Sequence, residues 1–323
     1  MAEPGSARRE HGGGIDAMIA QYGGTRANWL DLSTGINPVP YPLPDLPADA
    51  WTALPDRHAF AGFETAARRF WSVPDHAAVL AAPGASALIA RIPALLPKGS
   101  VLIRSDTYNE HAAAFAGTGW DVVQSGRAEA RVVVHPNNPT GERWDGADED
   151  WGQRPLVVID ESFCDEALGE SLIHRAGPGV IVLKSIGKFW GLAGLRLGAA
   201  VGDPALLARL ADWLGPWQTS GPALAIGTAA LSDRDWAKAT RRKLAEEAAT
   251  LDTAILAKGA RSLGGTSLFR LYEVPDAADW QSELAKSKVL IRCFAYAPTW
   301  LRIGLPHPNR RDQLHRALAT LTP

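Results

Sequence analysis

Cysteine, net charge and long apolar runs are all scarce in this 323-residue chain. Its two cysteines, Cys164 and Cys293, lie too far apart to form a disulfide framework, which favours a reducing, cytoplasmic compartment. The formal net charge of −2 gives no reason to expect a nucleic acid or an anionic membrane as partner. No apolar run approaches the roughly 20 residues of a membrane span. The N-terminal sequence MAEPGSARREHGGG lacks the apolar core of a secretory signal.

Length and composition are those of an ordinary globular protein with more than one domain. Hydrophobic residues make up 46% of the chain and charged residues 21%. A chain of this length is expected to divide into a large and a small domain. We expect an N-terminal segment over residues 1–45, a large domain over 46–210 and a small C-terminal domain over 211–323.

Apolar runs alternate with helical patterns between about residues 80 and 200. The runs are SVLIRS (100–105), ARVVVHP (130–136), PLVVIDE (155–161) and GVIVLKS (179–185). Runs without polar alternation are typical of strands covered on both faces. Their order predicts an α/β fold, namely a doubly wound domain with a mainly parallel sheet. A long amphipathic helix and the strand-like pieces SLFRLYEV, KVLIRCF and TWLRIGLP then predict a smaller α+β domain.

Polar side chains stand at the ends of four of these strands. They are Asp106 with Tyr108, Asn137 with Asn138, Asp160, and Ser185 with Lys188. Open α/β sheets bind their ligands at the carboxyl ends of the strands. The sequence therefore predicts a single convergent site at this edge.

The segment SIGKFWGLAGLRLG holds Lys188 and Arg196 among small and apolar residues. Burial favours the neutral form of a lysine amine, which suits a Schiff base with a carbonyl group. The alternative is a surface lysine at a helix start, a role for which Lys184 is the better candidate. The guanidinium of Arg196 matches phosphate geometry, and its alternative role is an ordinary salt bridge.

Asp160, Ser86 and Asn138 each allow two interpretations. A carboxylate at the end of an apolar strand needs a positive or hydrogen-donating partner, such as a protonated pyridine nitrogen, although Asp160 could instead cap the next helix. The turn PGASAL (83–88) suits an anion at a helix start, but such turns are common. Asn138 in HPNNPTG could aim its amide into the site or belong to a plain turn.

Together these motifs resemble those of the fold-type I (aspartate aminotransferase-like) pyridoxal phosphate (PLP) enzymes, in the same order through most of the chain. The resemblance implies a PLP-dependent transferase-like fold, PLP as cofactor, no metal ion, and a homodimer with sites at its interface. It implies cofactor contacts for Gly84, Ala85, Ser86, Tyr108, Asn138, Asp160, Ser185 and Arg196. Lys188 matches the catalytic Schiff-base lysine, and Arg302 in WLRIG matches the arginine that receives a substrate carboxylate.

Within that superfamily the chain is most similar to the branch of histidinol-phosphate aminotransferases and threonine-phosphate decarboxylases. HGGG (11–14) with LDLSTGINPVPYP, and Phe163 where most aminotransferases carry tyrosine, favour the decarboxylases of cobalamin biosynthesis. This implies a lyase that converts L-threonine O-3-phosphate to (R)-1-aminopropan-2-ol O-2-phosphate. His11 and Asn37 are then candidates for the substrate phosphate, and Arg292 for carboxylate or phosphate.

Three other functions compete with this interpretation. A histidinol-phosphate aminotransferase would share nearly all the cofactor residues but would require 2-oxoglutarate. A PLP-sensing transcription regulator would need a basic, helical DNA-binding domain before the fold, and this sequence has none. A non-catalytic remnant is disfavoured by the retention of Lys188, Asp160 and Arg196.

Two departures from the family pattern qualify the resemblance. His58 stands where relatives often carry an Arg-Tyr-Pro motif whose tyrosine reaches the cofactor phosphate of the other subunit. That inter-subunit contact is therefore in doubt. The connection over residues 142–155 is also short for the family.

Overall fold

The computed structural model describes residues 11–144 and 154–321 of the chain. Its strands are β1 (Leu30–Asp31), β2 (Ala78–Ala82), β3 (Ser100–Leu102), β4 (Asp121–Val123), β5 (Ala130–Val134), β6 (Leu156–Asp160), β7 (Val180–Ser185), β8 (Gly198–Gly202), β9 (Arg261–Gly265), β10 (Phe269–Glu273), β11 (Val289–Leu290), β12 (Arg292–Phe294) and β13 (Ala297–Gly304). Its α-helices are α1 (Ile15–Tyr22), α2 (Asp49–Thr52), α3 (Arg57–Trp71), α4 (Ala85–Ile89), α5 (Asn109–Gly117), α6 (Pro204–Leu214), α7 (Gly221–Ser232), α8 (Arg234–Leu256), α9 (Ala277–Lys286) and α10 (Arg311–Ala319).

A seven-stranded sheet forms the centre of the molecule, in the order β2-β8-β7-β6-β5-β3-β4. Neighbouring strands from β7 to β4 are parallel, and β8 runs antiparallel to β7 and β2 on either side. The predicted α/β fold with a mainly parallel sheet is confirmed. Strands β2, β4 and β8 add to the four predicted strands, and β8 is antiparallel to both of its neighbours.

Strand β6 shows why the central runs are apolar without alternation. Its residues alternate between two cores, with Val157 and Ile159 in one and Leu156 and Val158 in the other. The first core also takes in side chains of α3 and α7, and the second takes in side chains of α4, α5 and α6. Because helices cover both faces, every position of the strand is apolar until the chain leaves the sheet at Asp160.

The C-terminal part forms a second, antiparallel sheet in the order β12-β13-β10-β9. The N-terminal segment joins this part, because β1 pairs in parallel with β11. Further along, residues 37–41 reach the chain that follows β7, where the backbone N–H of Tyr41 donates to Trp190 O at 2.9 Å. The segment thus contacts both the C-terminal part and the chain after β7, while the exact domain boundaries stay a prediction.

Within the described parts of the chain, no helix combines the length and apolarity that crossing a membrane would need.

Candidate active site

The carboxyl ends of β5, β6 and β7 open into a cavity of about 130 Å³. Its walls bring together all predicted cofactor residues except Gly84, which lies one residue from the wall. They are Ala85, Ser86, Tyr108, Asn138, Asp160, Ser185, Lys188 and Arg196. The predicted convergence of strand ends is therefore present in the fold.

Asp160 closes one end of the cavity and is 2% exposed. One carboxylate oxygen accepts hydrogen bonds from the backbone N–H and hydroxyl of Ser162, at 2.9 and 2.5 Å. The other oxygen lies 2.8 Å from Nε2 of the buried His111. Burial alone would raise the pKa of Asp160, but these bonds outweigh it and hold the pKa below its usual value. The site therefore presents a buried, charged carboxylate.

The sequence analysis missed His111. It lies three residues after Tyr108, in the first turn of α5, so both side chains leave the same end of the helix. Their rings meet edge to face at 6.1 Å between centroids. Two features of the sequence could have predicted this pairing. A buried Asp160 needs a hydrogen-bond donor, and His111 lies one helical turn after Tyr108. Tyr108 stays protonated, since burial and nearby Asp160 raise its pKa to about 12.

Lys188 is half-buried and points its amine into the cavity. Its Nζ lies 3.5 Å from Thr34 O and 5.3 Å from the centre of the Phe163 ring. Burial, followed by the positive charge of Arg302, lowers the pKa of Lys188 from 10.5 to about 8. A substantial fraction of this amine is neutral near physiological pH, so it is a competent nucleophile toward a carbonyl group.

Arg196 and Gly84 form the end of the cavity that suits a phosphate group. Gly84 adopts φ +83°, and a Cβ there would lie 2.6 Å from Arg196 Nη2. Arg196 itself has φ 55° and donates from Nη1 to Ala193 O at 3.1 Å. The hydroxyl-bearing residues Ser86 and Ser185 line the same cavity. This combination of guanidinium, hydroxyls and a glycine turn suits an anion.

Gly84→Ala tests this end of the cavity. The new Cβ would push the Arg196 guanidinium aside, so we expect the Kd for PLP to rise at least about tenfold, the loss of one charge-assisted contact. Titration of the apoenzyme with PLP, followed by absorbance, measures the Kd. Gly169→Ala is the matched control, because nothing lies within 4 Å of its added Cβ. Equal affinities for the two variants would contradict the assignment.

The pH dependence of cofactor attachment tests the state of Lys188. Because only the neutral amine attacks an aldehyde, covalent uptake of PLP by the apoenzyme should accelerate with pH and level off above about 8. Borohydride trapping at short times followed by mass spectrometry measures the rate. Arg302→Met should move the midpoint to higher pH, since it removes a positive charge near the amine. A rate still rising at the ordinary lysine pKa would contradict the lowered value.

A second pocket adjoins the first and shares Tyr108 and Asn138 with it. Its walls carry three of the predicted substrate residues, namely His11, Arg292 and Arg302. Arg292 and Arg302 are direct cross-strand partners on β12 and β13. Like charges in that relation repel each other, and burial, followed by Arg292, lowers the pKa of Arg302 to about 10. The pair is consequently suited to an anionic ligand.

Arg302 is held from two sides. Its Nη1 donates to the amide oxygen of Asn138, and its Nη2 donates to Ser33 O at 2.5 Å. Its Nε is buried without a hydrogen-bond partner. Because Asn138 offers its oxygen to Arg302, its amide N–H groups remain for the first cavity. This one asparagine therefore joins the two pockets.

The N-terminal glycines bring His11 to the pocket. The backbone N–H of Gly13 donates to Ser33 Oγ at 2.7 Å, and a Cβ on Gly12 would lie 2.4 Å from Ser33 O. Only a glycine allows the backbone to approach this closely. His11 Nε2 lies 3.1 Å from Glu110 Oε1 at the edge of the pocket. The sequence analysis missed Tyr296, which lines the same pocket.

Asn37 does not line either pocket, which corrects its assignment to the substrate. It is 3% exposed, and its side-chain amide donates to Phe189 O at 2.9 Å and accepts from Val39 N at 3.0 Å. Its backbone N–H also donates to Lys188 O at 3.0 Å. Asn37 thus fastens the N-terminal segment to the segment that carries Lys188.

The structure also shows where Phe163, Lys184 and His58 lie. Phe163 is buried, packs edge to face on Phe269 at 4.9 Å, and brings no hydroxyl to the cavity. The expectation that Lys184 is a surface lysine is wrong, since it is completely buried and paired with Glu161. His58 lies on the exposed first turn of α3, away from the walls of both pockets.

The first cavity fits pyridoxal phosphate group by group. Arg196, the two serine hydroxyls and the turn at Gly84 suit its phosphate, and Asp160 suits a protonated pyridine nitrogen. Tyr108 offers an aromatic face, Asn138 an amide donor and Lys188 the amine. All of these groups line one cavity, with Gly84 directly beside its wall.

Comparisons with known proteins agree with this chemistry. The family described as "Aminotransferase class I and II" matches residues 30–321. A threonine-phosphate decarboxylase of Sinorhizobium sp is 42% identical over 328 aligned residues, 96% of this chain and 98% of the relative. Another, from Pseudomonas aeruginosa, is 37% identical and covers 92% of this chain and 93% of its own. A histidinol-phosphate aminotransferase of Symbiobacterium thermophilum is 33% identical, but over 62% of this chain and 60% of its own.

Solved structures agree on the fold. The histidinol-phosphate aminotransferase of Sinorhizobium meliloti, solved in complex with pyridoxal 5'-phosphate, superposes with a TM-score of 0.78. The superposition covers 96% of this chain and 95% of that one at 19% sequence identity, which supports the fold alone. The family match spans nearly the whole chain, and the cavity carries the residues that its cofactor needs. The chain therefore belongs to the class I and II aminotransferase family of PLP-dependent enzymes.

Proposed function

We propose that the protein is a PLP-dependent lyase that decarboxylates L-threonine O-3-phosphate to (R)-1-aminopropan-2-ol O-2-phosphate, a precursor in cobalamin biosynthesis. The observation that carries the proposal is the pairing of Arg292 with Arg302 beside a cofactor cavity. Two opposed guanidinium groups suit a substrate with two anionic groups, and this substrate has a carboxylate and a phosphate. The 42% and 37% identical relatives named threonine-phosphate decarboxylase support the same substrate.

The residues of the first cavity hold and polarise the cofactor under this proposal. Bound PLP supplies an electron sink for the pair of electrons that remains on Cα when CO2 departs. Asp160 keeps a negative charge against the pyridine nitrogen and thereby keeps that nitrogen protonated. Lys188 would hold the cofactor through its amine, and when free its Nζ would deliver a proton to Cα.

The residues of the second pocket bind and orient the substrate. Arg302, on the wall of this pocket, receives the carboxylate. Arg292 and His11, on the walls of the same pocket, receive the phosphate. Asn138, bonded to Arg302, ties the position of the substrate to that of the cofactor. Histidinol phosphate has no carboxylate, so it would leave one of the two guanidinium groups without an anionic partner.

A homodimer working in the cytoplasm completes the proposal. Several large apolar side chains are exposed on two segments, one that precedes α3 and one that precedes α7. They are Val39, Leu43, Trp51, Leu54 and Trp217. Such an exposed apolar set is typical of a protein–protein interface. Cys164 and Cys293 form no disulfide within the described residues, which supports a reducing compartment.

A substrate panel tests the function. The holoenzyme receives L-threonine O-3-phosphate without any keto acid and, separately, histidinol phosphate with 2-oxoglutarate. Mass spectrometry follows aminopropanol phosphate in the first reaction and glutamate in the second. Accumulation of aminopropanol phosphate over many turnovers supports the decarboxylase, whereas glutamate formation alone replaces it with the aminotransferase.

A further inference from the structure

Four charged side chains meet behind the segment that carries Lys188. Lys184 and Glu161 are fully buried and form an ion pair. Asp165 is 2% exposed, and its Oδ1 lies 3.8 Å from Lys184 Nζ. Arg241 completes the set, donating from Nε to the backbone oxygen of Asp165 at 2.8 Å. Two positive and two negative groups balance, which is what a buried charged cluster requires.

The carboxylate of Asp165 accepts hydrogen bonds from two tryptophans. Its Oδ1 accepts a hydrogen bond from Trp71 Nε1 and its Oδ2 accepts one from Trp190 Nε1, both at 2.9 Å. Trp71 is the last residue of α3, whereas Trp190 lies two residues after Lys188. The same carboxylate therefore joins a helix of the scaffold to the segment of the cofactor lysine.

Both oxygens of the Asp165 carboxylate act as acceptors in this arrangement. Burial raises the pKa of Asp165, and the opposing charge of Lys184 lies 3.8 Å away. Glu161 is already occupied by Lys184, the Ser171 hydroxyl and the Leu172 N–H. Asp165 is therefore the acidic side chain of the cluster that holds the two indoles.

Trp190 transmits this constraint because it is tightly packed. Its ring stacks on Trp236 at 5.3 Å with 14° between planes, and it meets Phe70 at 5.2 Å and Tyr41 at 5.9 Å. Its backbone oxygen accepts from Tyr41 N at 2.9 Å. Packing and a hydrogen bond hold the Trp190 indole in place. The indole in turn holds the backbone at Trp190, two residues after Lys188.

We propose that Asp165 is a positioning residue for Lys188, acting through its hydrogen bond to Trp190. The inference rests on the proposed role of Lys188 as the cofactor lysine. The buried cluster sets the direction from which the Lys188 amine meets the cofactor. A displacement of about 1 Å at such a group is enough to cost a large factor in rate.

Two matched variants separate positioning from stability. Trp190→Phe and Trp71→Phe each remove one indole N–H bond of equal length to the same carboxylate and keep an aromatic ring. Visible circular dichroism of bound PLP without substrate reports the orientation of the cofactor, and kcat on L-threonine O-3-phosphate reports the chemistry. Both variants should lower the melting temperature. Only Trp190→Phe should change the dichroism and lower kcat, by about tenfold or more.

Asp165→Asn supplies the second test. Asparagine keeps one acceptor oxygen and replaces the other with an N–H donor that cannot accept from an indole, so the dichroism and kcat should change as in Trp190→Phe. The double variant Asp165→Asn/Trp190→Phe should be no worse in kcat than the poorer single variant, because the two residues act in series. Wild-type dichroism and kcat in Trp190→Phe, equal effects of Trp71→Phe, or additive losses in the double variant would overturn the proposal.

The circular dichroism measurement distinguishes a failure of this inference from a failure of the proposed function. If the wild-type holoenzyme fails to decarboxylate the substrate while Trp190→Phe still alters the dichroism, the function fails and the positioning role stands. If the wild type is active and the dichroism and kcat of Trp190→Phe match it, the positioning role alone fails. A wild type that attaches no PLP at Lys188 overturns both.

Discussion

Replacing Lys188 by alanine is expected to lower the decarboxylation of L-threonine O-3-phosphate by at least about 10⁴-fold. The variant loses two functions of one amine, the covalent attachment of the cofactor and the return of a proton to Cα. Arg302, Arg196 and Asp160 are charged groups near this amine, and none of them replaces it as a nucleophile. Product formation under steady-state conditions, measured by mass spectrometry, gives the loss in rate.

PLP itself should still bind Lys188→Ala through the phosphate end of the cavity, without the covalent bond. Denaturation followed by filtration separates attached from free cofactor. Lys98→Ala is the control, since that lysine is exposed and lies outside both pockets. Retention of substantial activity in Lys188→Ala would show that another group does the chemistry.

The second large effect concerns Asp160→Asn. The substitution keeps the size of the side chain but removes the buried charge, so the pyridine nitrogen loses the group that keeps it protonated. We expect kcat to fall by about 10²–10³-fold, as for the loss of one preorganised electrostatic contact in a buried site. PLP should remain attached to Lys188, so the loss belongs to kcat and not to cofactor content.

Asp203→Ala is the control for a structural aspartate. Asp203 caps α6 by accepting from Ala205 N, and it also accepts from Gly179 N. Its loss should lower the free energy of unfolding by about 1 kcal/mol and leave kcat unchanged. If Asp160→Asn lowers stability in the same way while kcat is preserved, Asp160 is only a strand-end cap, the alternative that its sequence position allowed.

The cofactor site was readable from the sequence because its residues follow strands. Asp160, Ser185 and Lys188 come directly after buried apolar runs, and strand ends that meet at one edge form one site. The pairing of His111 with Asp160 was not readable in this way, since 49 positions separate the two residues. It depends on how α5 packs against the sheet, which no local pattern specifies.

The sequence also does not show the direction of strand β8, the burial of Lys184 or the orientation of the Asn37 amide. Strand β8, with the sequence GAAVG, has one β-branched residue and carries no mark of running antiparallel to its neighbours. The sequence does not show that Lys184 is buried, because its negative partners come from distant positions, with Glu161 at the end of the neighbouring strand. Asn37 resembled a binding residue in sequence, but the fold turns its amide toward the backbone of Phe189.

Release of CO2 without an amino acceptor tests the central claim most directly. The holoenzyme is given L-threonine O-3-phosphate labelled with ¹³C in its carboxyl group and no keto acid, and labelled CO2 and aminopropanol phosphate are counted per active site. The account predicts many equivalents of both, in equal amounts, and none from Lys188→Ala. Unlabelled CO2 only, or an enzyme whose cofactor is converted once to its amine form with no CO2, would contradict it.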